Sequence, residues 1–411
     1  MTPRARECHS LSPASLQDLP PELVEAVASL LEPPDLCKLR MTCRTLYNKT
    51  YHVFWRTSLQ NIETDLSYAS LTKLDLLSNN PELCRYVHRL RFKGFDENSL
   101  ILGEELDWNH HSSDHLIDLQ EQPAAKLLRP ILSRLVNCNS FECCCISTPD
   151  HLDLEDAHTA TDAVRLILDI VAETRLPVSS FSVNFRDHYE TGCVYLDPTR
   201  LHLGYFKKPG FVDKWAHLEE LILDFTPDFE ILNWTTDLIL LAPNVKKLNM
   251  RLDIDNNTFI LMRRLASTES LVWPRLQELR LGRSRSPLTD LTALLDKCKQ
   301  TLRVLHIGML TTDATVSDLG IFFATLSRTF PCLEDIGFGP WFSRPYIGIQ
   351  RLSAVHCSRL FENLDMDETE KAKVDVAYED RYGERKMRSV AYSGPQVHAV
   401  LDSLARSVAL L

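Results

Sequence analysis

A short spacing, apolar-x-x-apolar-x-apolar, recurs eight times along the 411 residues and constrains the fold more than any other feature. The copies begin at Val87, Cys138, Val178, Leu218, Val245, Leu276, Leu302 and Leu333. The last two apolar residues of each copy are two positions apart, the period at which side chains of an extended strand return to the same face. Between the middle apolar residues the intervals are 51, 40, 40, 27, 31, 26 and 31 residues, so the last five units approach a regular period. The stretches 124–136, 161–174, 257–267, 288–298 and 316–327 carry apolar residues at three- and four-residue spacing, as amphipathic helices do. Strand and helix thus alternate. The alternation accounts for an unusual composition, 66 leucines against 13 glycines, because each unit buries an apolar edge against the next.

The residues between the apolar positions are predicted to face away from the core. One position per copy gives the row Arg91, Glu142, Ser182, Ile222, Asn249, Arg280, His306 and Gly337, and a second row, two residues on, contains Asn184, Asp224 and Arg251. Of these, Arg91, Glu142, Asn249, Arg251, Arg280 and His306 are candidate contacts for a target protein. Arg251, Arg280 and His306 are expected to form a moderately basic patch on a chain of net charge -11.

The N-terminal region is organised differently. Pro21 suits the first position of a helix with Glu22 in its first turn, followed by Leu23, Val24, Val27, Leu30 and Leu31. This apolar arc is wider than one packing face requires. A second helix is predicted from Pro33-Pro34-Asp35, with Leu36, Leu39, Cys43 and Leu46 on one side and Lys38, Arg40 and Arg44 largely elsewhere; Val53, Phe54 and Trp55 follow. About 40 residues with this many apolar faces need permanent cover from another chain or domain.

The run Leu19-Pro20-Pro21-Glu22-Leu23, then Val27, Leu30, Pro33, Asp35-Leu36, Leu39-Arg40, Cys43-Arg44 and Phe54-Trp55, resembles the F-box. The resemblance implies a substrate receptor of a Skp–cullin–F-box ubiquitin ligase, with no catalytic residue and no cofactor of its own. Its apolar surface, carried here by Leu19, Pro20, Leu23, Val27, Leu30, Leu31, Leu36, Leu39, Cys43 and Trp55, would enter a Skp-type adaptor and through it reach a cullin. The alternative is an F-box scaffold that binds the adaptor without joining a cullin.

The strand-helix units resemble degenerate leucine-rich repeats, although the consensus asparagine or cysteine closing each strand is missing at most copies. An irregular α/β domain with a parallel sheet stays open beside that reading. The expected fold is α/β: a three-helix F-box, then an irregular leucine-rich-repeat-like β-α solenoid with a C-terminal helical cap. The expected organisation is a tail at 1–17, the F-box at 18–58, a helical connector at 59–83 and the repeats at 84–350, interrupted by an acidic exposed insertion at 96–122. A segment at 351–411 follows, solvated from Glu362 to Glu384, with a strand at 388–393 and a capping helix at 395–411.

Other chemistry is thinly represented. The acidic balance argues against a surface that grips nucleic acid. No window has the length and apolarity of a membrane span, and residues 1–10 lack the apolar core of a secretory leader. The 12 cysteines form no CxxC pair and are expected as thiols in a reducing cytoplasmic or nuclear compartment. His110, His111 and His115, near Asp107, Asp114 and Asp118, are read as a solvated loop without a metal. Gly337-Phe338-Gly339-Pro340 is read as a turn after the last regular strand.

Overall fold

The computed structural model describes residues 15–94, 122–145, 160–174, 176–185, 196, 198, 201, 204–225, 227–252, 256–269, 271–343, 350–351, 366–381 and 384–409. All of the predicted insertion except Gln122 lies outside them, as do His110, His111 and His115.

Four short helices open the described chain: α1 (Pro21–Ala28), α2 (Pro33–Thr42), α3 (Arg44–Lys49) and α4 (Tyr51–Leu59). Prolines stand in the first turn of α1 and α2, where no amide hydrogen is needed. The predicted helix spanning Leu36 to Leu46 is in fact two, because Cys43 is extended at φ -159°, ψ 159°. Its Sγ accepts the Leu46 amide at 3.5 Å and so caps α3. Arg40, expected on the solvent side, is instead buried. Its guanidinium lies 4.1 Å from the centroids of both Tyr47 and Phe54, and Nη1 donates to the Tyr47 carbonyl at 3.2 Å. The arginine thereby ties α2, α3 and α4 together.

The helical connector expected at 59–83 contains a strand, β1 (Asn61–Thr64), before helix α5 (Tyr68–Ser78). With one apolar residue, Ile62, β1 carries none of the spacing that marks the other strands; it forms because β2 (Arg89–Gly94) supplies a parallel partner. The chain then alternates. Helix α6 (Pro123–Arg134) leads to β3 (Ser140–Cys145), α7 (Ala160–Glu173) to β4 (Ser180–Asn184), and α8 (Pro209–Trp215) to β5 (Glu220–Asp224). Next come α9 (Ile231–Leu240) and β6 (Lys247–Arg251), then α10 (Asn256–Ser267) and β7 (Glu278–Gly282). After a short β8 (Ser284–Arg285), α11 (Leu288–Asp296) precedes β9 (Val304–Ile307) and β10 (Leu310–Thr312); α12 (Val316–Thr329) precedes β11 (Asp335–Phe338).

The main sheet has 11 strands in the order β1-β2-β3-β4-β5-β6-β7-β9-β11, followed by β15 (Glu384–Ser393) and β14 (Asp375–Arg381). From β1 to β11 all neighbours are parallel; β15 runs antiparallel to both β11 and β14. Part of the segment expected to be solvated, 375–381, is therefore sheet, paired by the backbone of a strand that begins at Glu384. The final helix, Val397–Ala409, packs on α12.

Fully parallel sheets are usually covered on both faces and read as continuous apolar runs. Here apolar residues alternate, and so does burial: Leu221 and Leu223 of β5 are buried while Glu220, Ile222 and Asp224 are partly exposed, and β7, β9 and β11 repeat the pattern. Successive helices pack on one another, α5 on α6, α6 on α7, α7 on α8, and α9 through to α12. Among the described residues one layer of helices thus covers one face, and the other is partly exposed along β5, β7, β9 and β11, while β4 is buried on both faces.

Beyond the ends of β7, β9 and β11 a second sheet forms in the order β13-β12-β10-β8, with β12 at Trp341–Ser343 and β13 at Gln350–Arg351. The transition is made by stacked glycines. A Cβ on Gly339 would stand 2.9 Å from the carbonyl carbon of Gly308, and one on Gly308 would stand 3.3 Å from the Cα of Gly282. These backbones approach more closely than side chains permit.

Candidate interaction surfaces

On the N-terminal helical unit, buried apolar packing among Ala28, Leu36 and Val53 is supplemented at its edge by Leu31, Leu39 and Phe54. Leu30 and Met41 are each 86 % exposed, Leu23 52 %, and Val27 and Tyr47 are exposed as well. Leu23, Val27 and Leu30 follow a four- and three-residue spacing along α1 and its end, which places them on one side of that helix. The preceding segment is tied down by Lys49, whose Nζ donates to the carbonyls of Gln17 at 2.8 Å and Leu19 at 2.6 Å.

On the open face of the sheet, Arg91, Glu142, Ser182, Ile222, Asn249, Arg280, His306 and Gly337 stand in one row by direct strand register. Glu63 of β1 extends it by one strand. At the β1–β5 end the charges neutralise one another. Arg91 Nε meets Glu142 Oε2 at 3.0 Å and its Nη1 meets Glu63 Oε1 at 3.0 Å; Arg89 reaches Glu220 at 3.8 Å and donates to Ser140 Oγ at 3.0 Å. Ser182 is buried.

The Arg280 and His306 side chains are likewise engaged. Arg280 Nε pairs with Glu278 Oε1 at 2.5 Å, and Nη1 lies 2.9 Å from His306 Nδ1. A guanidinium can only donate, so Nδ1 accepts, and His306 Nε2–H donates to Asp335 Oδ1 at 2.7 Å. Gly337 makes room for the imidazole, since a Cβ there would stand 3.1 Å from His306 Cγ. The expected basic trio of Arg251, Arg280 and His306 therefore reduces to Arg251, which is exposed. Positive charge reappears where β7 passes into β8, at Arg283 and Arg285.

Neither Cys143 nor Cys144 has the character of a nucleophile. Burial pushes the Cys144 thiol up to about 12 and Cys143 well above its ordinary value, the opposite of what a reactive thiolate needs. Among the described residues no group of three His, Cys, Asp or Glu side chains is placed to hold a metal.

Residues 16–61 match the family model described as F-box-like. The chain therefore carries an F-box-like domain, comprising α1 to α4 and the first residue of β1. No curated protein matches the sequence. Within this domain Leu23, Val27, Leu30 and Pro20 are exposed, Leu19, Leu31, Leu39, Cys43 and Trp55 are partly exposed, and Leu36, at 1 %, is part of the internal packing. Leu36 supports the helices and offers no surface. Met41 and Tyr47 were not singled out from the sequence because they fall between the motif positions; the break at Cys43, which turns α3 relative to α2, is what exposes them.

Proposed function

We propose that this chain is the substrate-recognition subunit of an SCF-type E3 ubiquitin ligase. The F-box-like domain engages a Skp-type adaptor, and through it a cullin, while the open face of the sheet holds the target. The observation that carries the reading is the exposure of Leu23, Val27, Leu30, Met41 and Tyr47 on a domain whose own core is small. Burying such side chains against a partner contributes about 25 cal/mol per Å² before association costs. The chain acts by bringing target and ligase together, a proximity effect that asks no catalytic group of it.

The alternating strands and helices are read as a degenerate leucine-rich-repeat array, supported by the recurring spacing and by the register that aligns eight copies in one row. Cys37, Cys43, Cys84, Cys138, Cys143, Cys144, Cys298 and Cys332 are free thiols, which suits action in the cytoplasm or nucleus. Among the described residues no helix is long and apolar enough to cross a membrane.

The test is co-purification of the Skp-type adaptor with full-length chain. Leu23→Asp with Leu30→Asp is expected to abolish adaptor recovery while the melting temperature stays within about 2 °C, because both side chains are exposed. Adaptor retained at wild-type level by this variant refutes the assignment. Cullin recovered with the adaptor supports the ligase reading; adaptor recovered repeatedly without cullin overturns it in favour of a scaffold.

A further inference from the structure

Arginines on the main sheet differ in how their charge is met. Arg89, Arg91 and Arg280 are ion-paired, as is Arg303 with Glu334 at 3.0 Å. Arg251 and Arg283 are both exposed, and neither side chain has an ion pair or hydrogen bond among the described residues. They are close enough that the charge of Arg283, together with burial, lowers the Arg251 pKa. The charge of Arg283 also reaches the Asp224 carboxylate of β5.

The backbone is shaped around this pair. Gly282 lies directly beside Arg251 in register, and a Cβ there would stand 3.0 Å from Arg251 Cγ, so the missing side chain is what lets the arginine stem lie against β7. Arg283 has φ +47°, in the left-handed region, which costs a non-glycine residue about 1 kcal/mol or more. Next to them Arg285 sits 5.5 Å from the Phe259 ring centroid and hydrogen-bonds Asn256. It lines a cleft with Phe259, Ser286, Pro287, Thr311, Thr312 and Asp313, the last of which sets a negative charge in the same cleft as Arg285. A planar guanidinium pair beside hydroxyls and an arginine-faced aromatic ring suits oxygen anions borne on a peptide.

We propose that Arg251 and Arg283, where β6 and β7 leave the main sheet, form an anion-accepting subsite that binds a protein segment bearing clustered carboxylate or phosphate side chains. This deepens the proposed receptor function, since the subsite lies on the face assigned to the target. On a chain of net charge -11 it is a place where an acidic segment gains more by attraction than it loses by general repulsion.

Two fluorescein-labelled decapeptides, one containing clustered Glu and the other phosphoserine at the same positions, are titrated against the full-length chain by anisotropy, beside a Gln-substituted control. The expected result is binding of at least one acidic peptide, weakened at least tenfold by Arg251→Glu with Arg283→Glu and at least threefold by Arg251→Gln with Arg283→Gln. Arg303→Glu, distant along the sheet face, should leave it unchanged. Binding of the Glu peptide assigns the carboxylate source, and binding of the phosphoserine peptide alone assigns phosphate. Binding of the Gln control as tightly as both acidic peptides, no binding of either acidic peptide, or equal binding by the correctly folded Gln pair overturns the proposal. Adaptor recovery measured on the same preparations separates the two claims: peptide binding without adaptor leaves the subsite standing and removes the receptor function.

Discussion

Leu30 of the F-box-like domain is 86 % exposed, whereas Leu221, Leu248, Leu279 and Leu305 in the middle of the sheet are 1 % exposed or less. The same residue type is thus used in opposite ways by two parts of one chain. In the sheet, leucines repeat with a strand period, and every copy meets a helix layer. In the F-box-like domain the apolar arc of α1 exceeds what the four short helices can cover, and Ala28, Leu36 and Val53 fill the small interior that remains. The difference teaches that burial follows the number of neighbours an element can recruit, and an element with too few keeps its apolar side for a second molecule. The sheet face inverts the pattern again: apart from Ile222 and Gly337 the row from Arg91 to Gly337 is polar, and its arginines, glutamate and histidine pair with neighbours.

The sharpest break of this comparison is a leucine truncation on each side. Leu279→Ala is expected to destabilise the chain by about 2 to 5 kcal/mol, the range for a leucine removed from a close-packed core. Leu30→Ala should move unfolding by about 0.5 kcal/mol or less in the absence of adaptor. Chemical denaturation of both variants measures the contrast; equal losses would mean that Leu30 has partners within the chain and that the exposed face is no docking surface.

Much of this contrast was legible from residue spacing, for a physical reason. A strand that buries one face must alternate, and a recurring alternation aligns its copies, so the row from Arg91 to Gly337 could be written down before any register was known. What spacing misses is whatever depends on a partner far along the chain. β1 is invisible because its single apolar residue, Ile62, gives no period, and β2 supplies the order. The strand at 375–381 is charged and exists through the backbone of β15. Arg40 reads as a surface cation until Tyr47 and Phe54 close on it. Charge neutralisation is non-local in part: Glu278, two residues from Arg280, pairs with it within one strand, whereas His306 is engaged by Asp335 of the neighbouring strand. The glycine triplet at 282, 308 and 339 was readable, since each follows the last apolar residue of its strand, but its meaning as a stacked bend needed the neighbouring strands.

A medium effect is expected at that bend. Gly339→Val places a side chain against the Gly308 backbone, which cannot rotate away, and overpacking of this kind costs about 1 to 3 kcal/mol. Because β11 also carries Gly337 beside His306, the variant should weaken order locally. Hydrogen exchange is expected to accelerate in β10, β11 and β12 while β2 to β5 and the F-box-like domain keep wild-type protection. Uniform acceleration across the chain would show that the two sheets unfold as one unit.

The last expected effect is confined to a pH window, concerns Asp224 and tests how open the sheet face is. Burial raises its pKa to about 6, and the charge of Arg283 works against that rise. In the unfolded chain an aspartate titrates near 3.9, so between about pH 4 and 6 the folded protein holds a proton that the unfolded chain releases. For a carboxyl group raised in this way, the stabilising contribution is complete below the unfolded value and is lost as pH rises through the folded one. Asp224→Asn removes the dependence. The melting temperature of the wild type relative to the variant is therefore expected to fall as pH climbs from 4 to 7, most steeply near 5 to 6, and to level off above that. Arg283→Gln removes the opposing attraction and should move the same window upward. A difference between wild type and Asp224→Asn that stays flat from pH 4 to 7 would mean that Asp224 is as well solvated as any surface carboxylate, and that the half-buried character of this face around β5 and β6 is lost in solution.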